Sequence, residues 1–453
     1  EKVTVEDIMI PRNEISAINL EDDWDKIIKD IRESQHTKLP VYEGDIDNML
    51  PNIVASPEKA AEGKQKIDWV RRNMPILRQL ESEFRQQKPF AGKRVLVCVH
   101  LEAKTAYLAL VIAAGGATVA VTGSNPGSTK DDVVAALDEL GLHVYARHGA
   151  TLGEMEDHMS MALDIRPHVV IDDGGDIVEL LHGSRSELLA DVLGACEETT
   201  TGVLRAMERS QANELEFPVM LINDARCKYL FDNVHGTGQS VWDALMRTTN
   251  LVLAGKTIAI VGFGWCGRGC ALRAAGLGAR VIICEVDAVK AADAAMNGYQ
   301  VMPLLNACQS ADIVLTVTGV RDTLDRVHFE AMKDGVLIAN AGHFRNEINV
   351  DALQDLAVEH APMRDKVVGY KTQTGSWLYL VGDGKIVNIA CADGHPAEIM
   401  DTSFALQALS ARHLVEFHEK LENDVYHVPE DIDQQVAKMK LASMNIHIDV
   451  PNS

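Results

Sequence analysis

Residues 260–269 read IVGFGWCGRG. Gly262, Gly264 and Gly267 stand there in a G-x-G-x-x-G frame, directly behind the apolar run TIAIV (257–261). An apolar run feeding such glycines and then a helical stretch predicts strand, tight turn and helix, the dinucleotide-binding turn of a doubly wound sheet. The first glycine permits the bend, the second lets backbone approach a pyrophosphate, and the third lets the helix pack on the sheet. The helix N-terminus then offers amide donors and a positive dipole end to the phosphates. Glu285 ends the next apolar run, RVIICEV (280–286), where an acid accepts from the ribose hydroxyls and repels a 2′-phosphate. That favours NAD over NADP, with Lys290 close by as a counterweight. Glycines that merely shape a turn are the bland alternative, and the flanking strand, helix and acid weigh against it.

Outward from this turn the pattern repeats. QVMPL (300–304), DIVLTVTG (312–319) and GVLIANAGH (335–343) are further strand-like runs, and KIVNIACADGH (385–395) reads as one more strand. Upstream, RVLVCV (94–99), ATVAVTG (117–123), HVYAR (143–147) and HVVIDDGG (168–175) alternate with helical patterns through KTAYLALVIAA and STKDDVVAALDEL. KIDWVRRNMPILRQLESEFRQQKP (66–89) reads as one amphipathic helix stopped at Pro89. Alternation of this kind predicts parallel sheets covered by helices. The expected fold is α/β with two parallel-sheet, Rossmann-like domains. One, for substrate, spans 55–235 and is rejoined by about 396–420; the other, for the dinucleotide, spans 236–395. Residues 421–453 read as a helical tail.

At 453 residues the chain exceeds what one core supports, which ends near ~250–300 residues. Asp and Glu number 66 against 43 Lys and Arg, a net charge of −23. Such a surface repels nucleic acid and anionic membranes, and no basic run offsets it. No apolar run approaches the ~20 residues of a membrane helix. The opening EKVTVEDIMIPRNE lacks the basic start and apolar stretch of a secretory signal. Eight scattered cysteines, several in expected core strands, read as reduced thiols of a cytoplasmic protein. Cys266 and Cys270 lie one helical turn apart with no second pair or nearby histidine, and HEKLE (418–422) lacks the second histidine of a zincin helix. No metal is expected.

Two resemblances add to this reading. TVEDIMIPRNEI (4–15) and SQHTKLPVY (34–42) resemble the opening half of a CBS module of the CorC-like ion-transport family, stopping near residue 48. The larger resemblance is carried by INDARCKYLFDNVHGTGQSVWDAL (222–245), NAGHFRNEI (340–348), DDGGD (172–176), CEETTTGV (196–203) and CADGHPAEIMDTSF (391–404). From about residue 55 to 447 the chain is similar to the S-adenosyl-L-homocysteine hydrolase family, with these motifs in order. The resemblance implies an NAD-dependent thioether hydrolase without net redox. NAD oxidises the ribose 3′-hydroxyl, the ketone acidifies the C4′ hydrogen, homocysteine thiolate leaves C5′, water adds, and the ketone is reduced again.

It also assigns roles. Lys228 helps deprotonate the 3′-hydroxyl, a role needing a lowered pKa from burial beside the nicotinamide. Asp232, one turn on, binds the sugar hydroxyls or accepts the C4′ proton; a surface i,i+4 pair is the bland alternative. Glu198 is the carboxylate at the 3′ position. Asn233 positions the nicotinamide. Asp173 and His100 lie near C5′, and His343 lies near the nicotinamide and the 5′ position. Thr199, Thr200, Thr201, Thr318, Asn340 and Asn388 contact NAD. His395 clamps the nucleoside, while Met400 and Phe404 line its pocket or simply pack the core. Where animal-type enzymes carry a threonine and a glutamate that read the adenine amine, this chain has HLEAKTA (100–106), with Glu102 and Lys104. Lys104 can donate to a 6-oxo group, and Asp393 is its candidate partner. These segments look like the archaeal and Thermotoga-like branch, some members of which prefer S-inosyl-L-homocysteine. The base stays open between adenine and hypoxanthine, and a homo-oligomer, tetramer or dimer, is implied. The rivals are a 2-hydroxyacid-type dehydrogenase and an inactive regulatory relative that senses nucleoside or NAD.

Overall fold

The computed structural model describes residues 52–342 and 347–449; before them it describes only strands β1 (Ile18–Asn19) and β2 (Val41–Tyr42), which pair in parallel. The remainder of the CBS-like stretch, and His343, lie outside the described residues. The chain divides into two compact units, 1–52 and 53–453. Both large sheets belong to the second.

The first sheet contains β3 (Arg94–Val99), β4 (Thr118–Gly123), β5 (His143–Tyr145), β6 (Val169–Asp172), β7 (Gly194–Glu197) and β8 (Val219–Leu221). Their branched, apolar residues are buried, as befits parallel strands covered on both faces. With a seventh strand, β17 (Val425–His427), the order is β17-β8-β7-β6-β3-β4-β5, all parallel, so succession reverses direction between β3 and β6. Such a reversal opens a crevice at the carboxyl ends of the strands. Strand β17 comes from the tail expected to be helical; it lies beyond β8, and the helix Glu430–Ser443 follows it.

The second sheet is built from β9 (Thr257–Val261), β10 (Arg280–Cys284), β11 (Gln300–Val301), β12 (Ile313–Thr316) and β13 (Val336–Asn340). It continues through β14 (Ala357–Arg364), β15 (Val367–Thr372) and β16 (Trp377–Val381) in the order β11-β10-β9-β12-β13-β16-β15-β14. The strands from β11 to β16 run parallel, and β15 and β14 fold back antiparallel. The sheet is therefore mixed, not purely parallel. Residues 385–395 are not a strand: Val387–Ala390 form a short helix, and only Ile386 bridges to Asn340.

The expected single helix over 66–89 is two, Ala60–Asn73 and Pro75–Gln87. Pro75 explains the break, because its ring drives the preceding residue from the helical region and Met74 sits at φ −123°, ψ 71°. The second helix starts against Asp401, whose carboxylate oxygens accept from the amides of Ile76 (2.9 Å) and Leu77 (2.8 Å). Asp401 belongs to the helix Ala397–Phe417, which packs its apolar side, including Phe404 and Leu406, into the core of the first sheet. The helix Ala397–Phe417 thus packs against the first sheet.

Candidate active site

The two sheets turn their carboxyl ends toward one cavity of about 1500 Å³. His100, Asp173 and Glu198 follow β3, β6 and β7; Gly262, Glu285 and Thr318 follow β9, β10 and β12. A stretch of π-helix, Tyr229–Gly236, runs between them. Its wider turn brings residues five apart onto one side, so Lys228 reaches both Asp232 and Asn233.

Lys228 is the centre of charge. Its Nζ lies 2.8 Å from Asn233 Oδ1, 3.4 Å from Asn223 Oδ1, 3.5 Å from Asp232 Oδ1 and 3.8 Å from Glu198 Oε1, with the residue 5% exposed. Burial pulls its pKa down, but the attraction of Asp232 and Glu198 prevails and leaves it above the ordinary lysine value. The expectation of a lowered pKa concerns Lys228 beside a bound nicotinamide; in the protein alone, Asp232 and Glu198 favour the charged ammonium. Asp232 also meets His395 Nδ1 at 3.0 Å and accepts from Ser403 Oγ at 2.8 Å. Burial raises its pKa, and Lys228, His395 and Ser403 outweigh that, holding it well below the carboxylate range. Burial pushes Glu198 the other way, up to about 8, against the pull of Lys228.

At the opposite wall His100 Nδ1 meets Ser128 Oγ at 2.8 Å, and its Nε2 lies 3.7 Å from Asp173 Oδ2, which accepts from Ser124 Oγ at 2.9 Å. Lys104 Nζ contacts Glu102 Oε2 (2.9 Å) and donates to the backbone oxygen of Asp393 (3.0 Å). Lys104 and Asp393 thus meet, but through the main chain; the Asp393 carboxylate faces Arg247 at 3.4 Å.

The glycine turn has room for a dinucleotide. Gly262 adopts φ +103°, and a Cβ on Gly267 would stand 2.1 Å from Gly262 O, so neither tolerates a side chain. A Cβ on Gly264 would meet nothing within 4 Å, which leaves that backbone open to the cavity. The Glu285 carboxylate accepts from the amides of Phe263, Val286 and Asp287 at 2.8, 2.6 and 3.0 Å. These bonds hold its pKa down against burial and keep a negative charge where a ribose would lie. Glu285→Gln should therefore narrow the preference for NAD over NADP at least ~10-fold in a fluorescence titration, through loss of like-charge repulsion alone.

Thr199, Thr200, Thr201, Lys290, Thr318, Asn388, Met400 and Phe404 also line the cavity. Asn340 does not: it is fully buried, with Oδ1 taken by Thr316 Oγ1 and the Gly342 amide and Nδ2 by the carbonyls of Gly342 and Gly384. Its bonds hold the loop after β13. No motif singles out Glu347, which ties down Thr318 and the Gly319 amide, nor Asn223, Thr237 and Gln407, which bond to Thr200, His395 and Glu198.

Family models for "S-adenosyl-L-homocysteine hydrolase" and for its NAD-binding domain match residues 52–191 and 233–394. An adenosylhomocysteinase of Pyrococcus abyssi is 54% identical over 86% of this chain and 92% of its own. The chain belongs to the S-adenosyl-L-homocysteine hydrolase family. An S-inosyl-L-homocysteine hydrolase of Methanocaldococcus jannaschii is 48% identical over 86% of the chain and 93% of its own length. An adenosylhomocysteinase of Thermotoga maritima is 49% identical over 85% and 96%. As a member of the hydrolase family the protein is an enzyme, its cofactor is NAD, and the glycine turn with Glu285 is where this chain would hold it. Among the described residues no helix is long and apolar enough to cross a membrane.

Proposed function

We propose that the enzyme hydrolyses S-adenosyl-L-homocysteine, reversibly, to adenosine and L-homocysteine. The observation that carries this is the buried Lys228, set between Glu198 and Asp232 where the two sheets meet. NAD, when bound, supplies the reversible two-electron oxidation of the sugar at C3′. The rest falls to the chain's own groups. Glu198 Oε1 is buried and has no hydrogen-bond partner, an acceptor free for the 3′-hydroxyl. Lys228 and Glu198 exchange the 3′ proton; a positive charge arriving beside Lys228 would lower its pKa by the same Coulomb effect that now raises it. Asp232, kept ionised by Lys228, His395 and Ser403, serves the sugar hydroxyls or the C4′ proton. Asp173, whose Oδ1 is buried without a partner, and His100 handle the water and the thiolate at C5′.

A second reading, S-inosyl-L-homocysteine as substrate, is favoured by Lys104. Two of the three ammonium donors are used by Glu102 and Asp393, and the third is suited to a 6-oxo group. A homo-oligomer, dimer or tetramer, and a cytoplasmic location belong to the same proposal, and the net charge of −23 speaks against nucleic-acid partners. Incubating the protein with NAD and each nucleosyl-homocysteine should release free thiol without accumulating reduced nicotinamide. Steady accumulation with no thiol would instead point to a dehydrogenase.

A further inference from the structure

The helix Ala397–Phe417 is buried along most of its length, yet Ser403, Gln407 and Ser410 form a polar row at i, i+4 and i+7. Two of the three touch the catalytic carboxylates from behind. Ser403 donates to Asp232 Oδ2, and Gln407 Nε2 lies 2.5 Å from Glu198 Oε2, across 209 residues of chain. Gln407 is 0% exposed and its own Oε1 has no partner. A buried amide satisfied on one side only is unfavourable for the core, where an apolar side chain of that volume would serve better. Its single bond is spent on Glu198.

We infer that Gln407 is a positioning residue of the hydrolase reaction, fixing Glu198 by Oε2 so that Oε1 alone is presented to the substrate. The inference rests on the reading of Glu198 as the 3′ carboxylate. Glu198 is faced by Lys228 at the start of the π-helical segment, by Asp232 within it, by Asp173 just after β6, and by Gln407 from the long helix. Among the described residues, only Gln407 reaches Oε2 as a neutral donor. Short bonds to charged groups are the strong ones, so its loss releases the carboxylate's orientation and also removes support for its ionised form.

Gln407→Met keeps the length of the side chain and removes the donor. In the NAD-loaded enzyme, kcat for thiol release should fall about 10- to 100-fold with KM little changed. The pH at which the rate reaches half its plateau should move upward, because a carboxylate stripped of a donor holds its proton longer. Gln407→Glu, which sets a second acid against Glu198, should move it further in the same direction. Difference infrared spectroscopy, with Glu198→Gln as the reference, follows the Glu198 carboxyl without any turnover and should show the same upward shift. A parent and Gln407→Met with identical kcat, pH profile and carboxyl titration would overturn the inference. An upward carboxyl shift in Gln407→Met relative to a parent that releases no thiol would uphold the contact and overturn the reaction instead.

Discussion

Lys228→Met should lower thiol release about 10³-fold, within the range general acid–base groups contribute, while NAD binding persists. Methionine fills the buried volume without a charge. The consequence for stability carries a sign. Without the ammonium, the buried Asp232 and Glu198 face each other uncompensated, and the pKa of the pair rises. A carboxyl whose folded pKa stands above its unfolded value contributes stability at low pH and loses it as pH climbs through the folded value. The variant should therefore melt closer to the parent at pH 6 than at pH 8. A thiol-release assay with melting curves at both pH values checks this, and a rate within tenfold of the parent would remove Lys228 from its role.

Gly269→Ala should be nearly as damaging, by a different route. A Cβ at 269 would stand 1.9 Å from the carbonyl oxygen of Val234, backbone against side chain, with no rotamer to relieve it. Val234 follows Asp232 and Asn233 in the π-helical segment. Overpacking of a core costs roughly 1–3 kcal/mol and more where backbone must yield. The segment must shift to admit the methyl, carrying the carboxylate and amide off Lys228. We expect a melting temperature lower by several degrees and thiol release reduced at least ~100-fold, since displacements near 1 Å at reacting groups have that effect. Gly264→Ala is the control, because a methyl there meets no protein atom; it should fold normally and weaken NAD alone. Equal behaviour of the two variants would show that the Gly269 contact does not govern the site.

Much of this arrangement was legible in the sequence because local chemistry and global fold agree. The glycine turn, Glu285 and the acid and lysine motifs all lie where a strand or helix hands over to the cavity. What could not be read has physical causes. The pKa of Lys228 depends on Glu198, thirty residues away, and no spacing reveals which of burial and attraction prevails. The close crossing at Gly269 is invisible because its partner is a carbonyl, not a side chain. β14, β15 and β16 lack the clean alternation with helices that marks the other strands, and β14 is largely exposed, so the fold-back through β15 and β14 leaves no pattern to read. Gln407 and Ser403 did leave a signal, two polar residues four apart on the buried side of a helix rich in apolar residues.

The edge position of β17 beyond β8 bears on how this molecule comes into being. Asp433, just past that strand, accepts from the amides of Arg226 and Cys227 and so anchors the start of the segment bearing Lys228. The sheet begun at residue 94 gains its last strand at residue 425, after the whole dinucleotide-binding region has been made. On the ribosome the later-synthesised half can close on itself while the earlier half still waits for its edge. Pairings that span such sequence distances form slowly. The nascent chain therefore carries an unfinished sheet until residue 425 has emerged, and the lysine is locked in place only after the dinucleotide-binding region has been made.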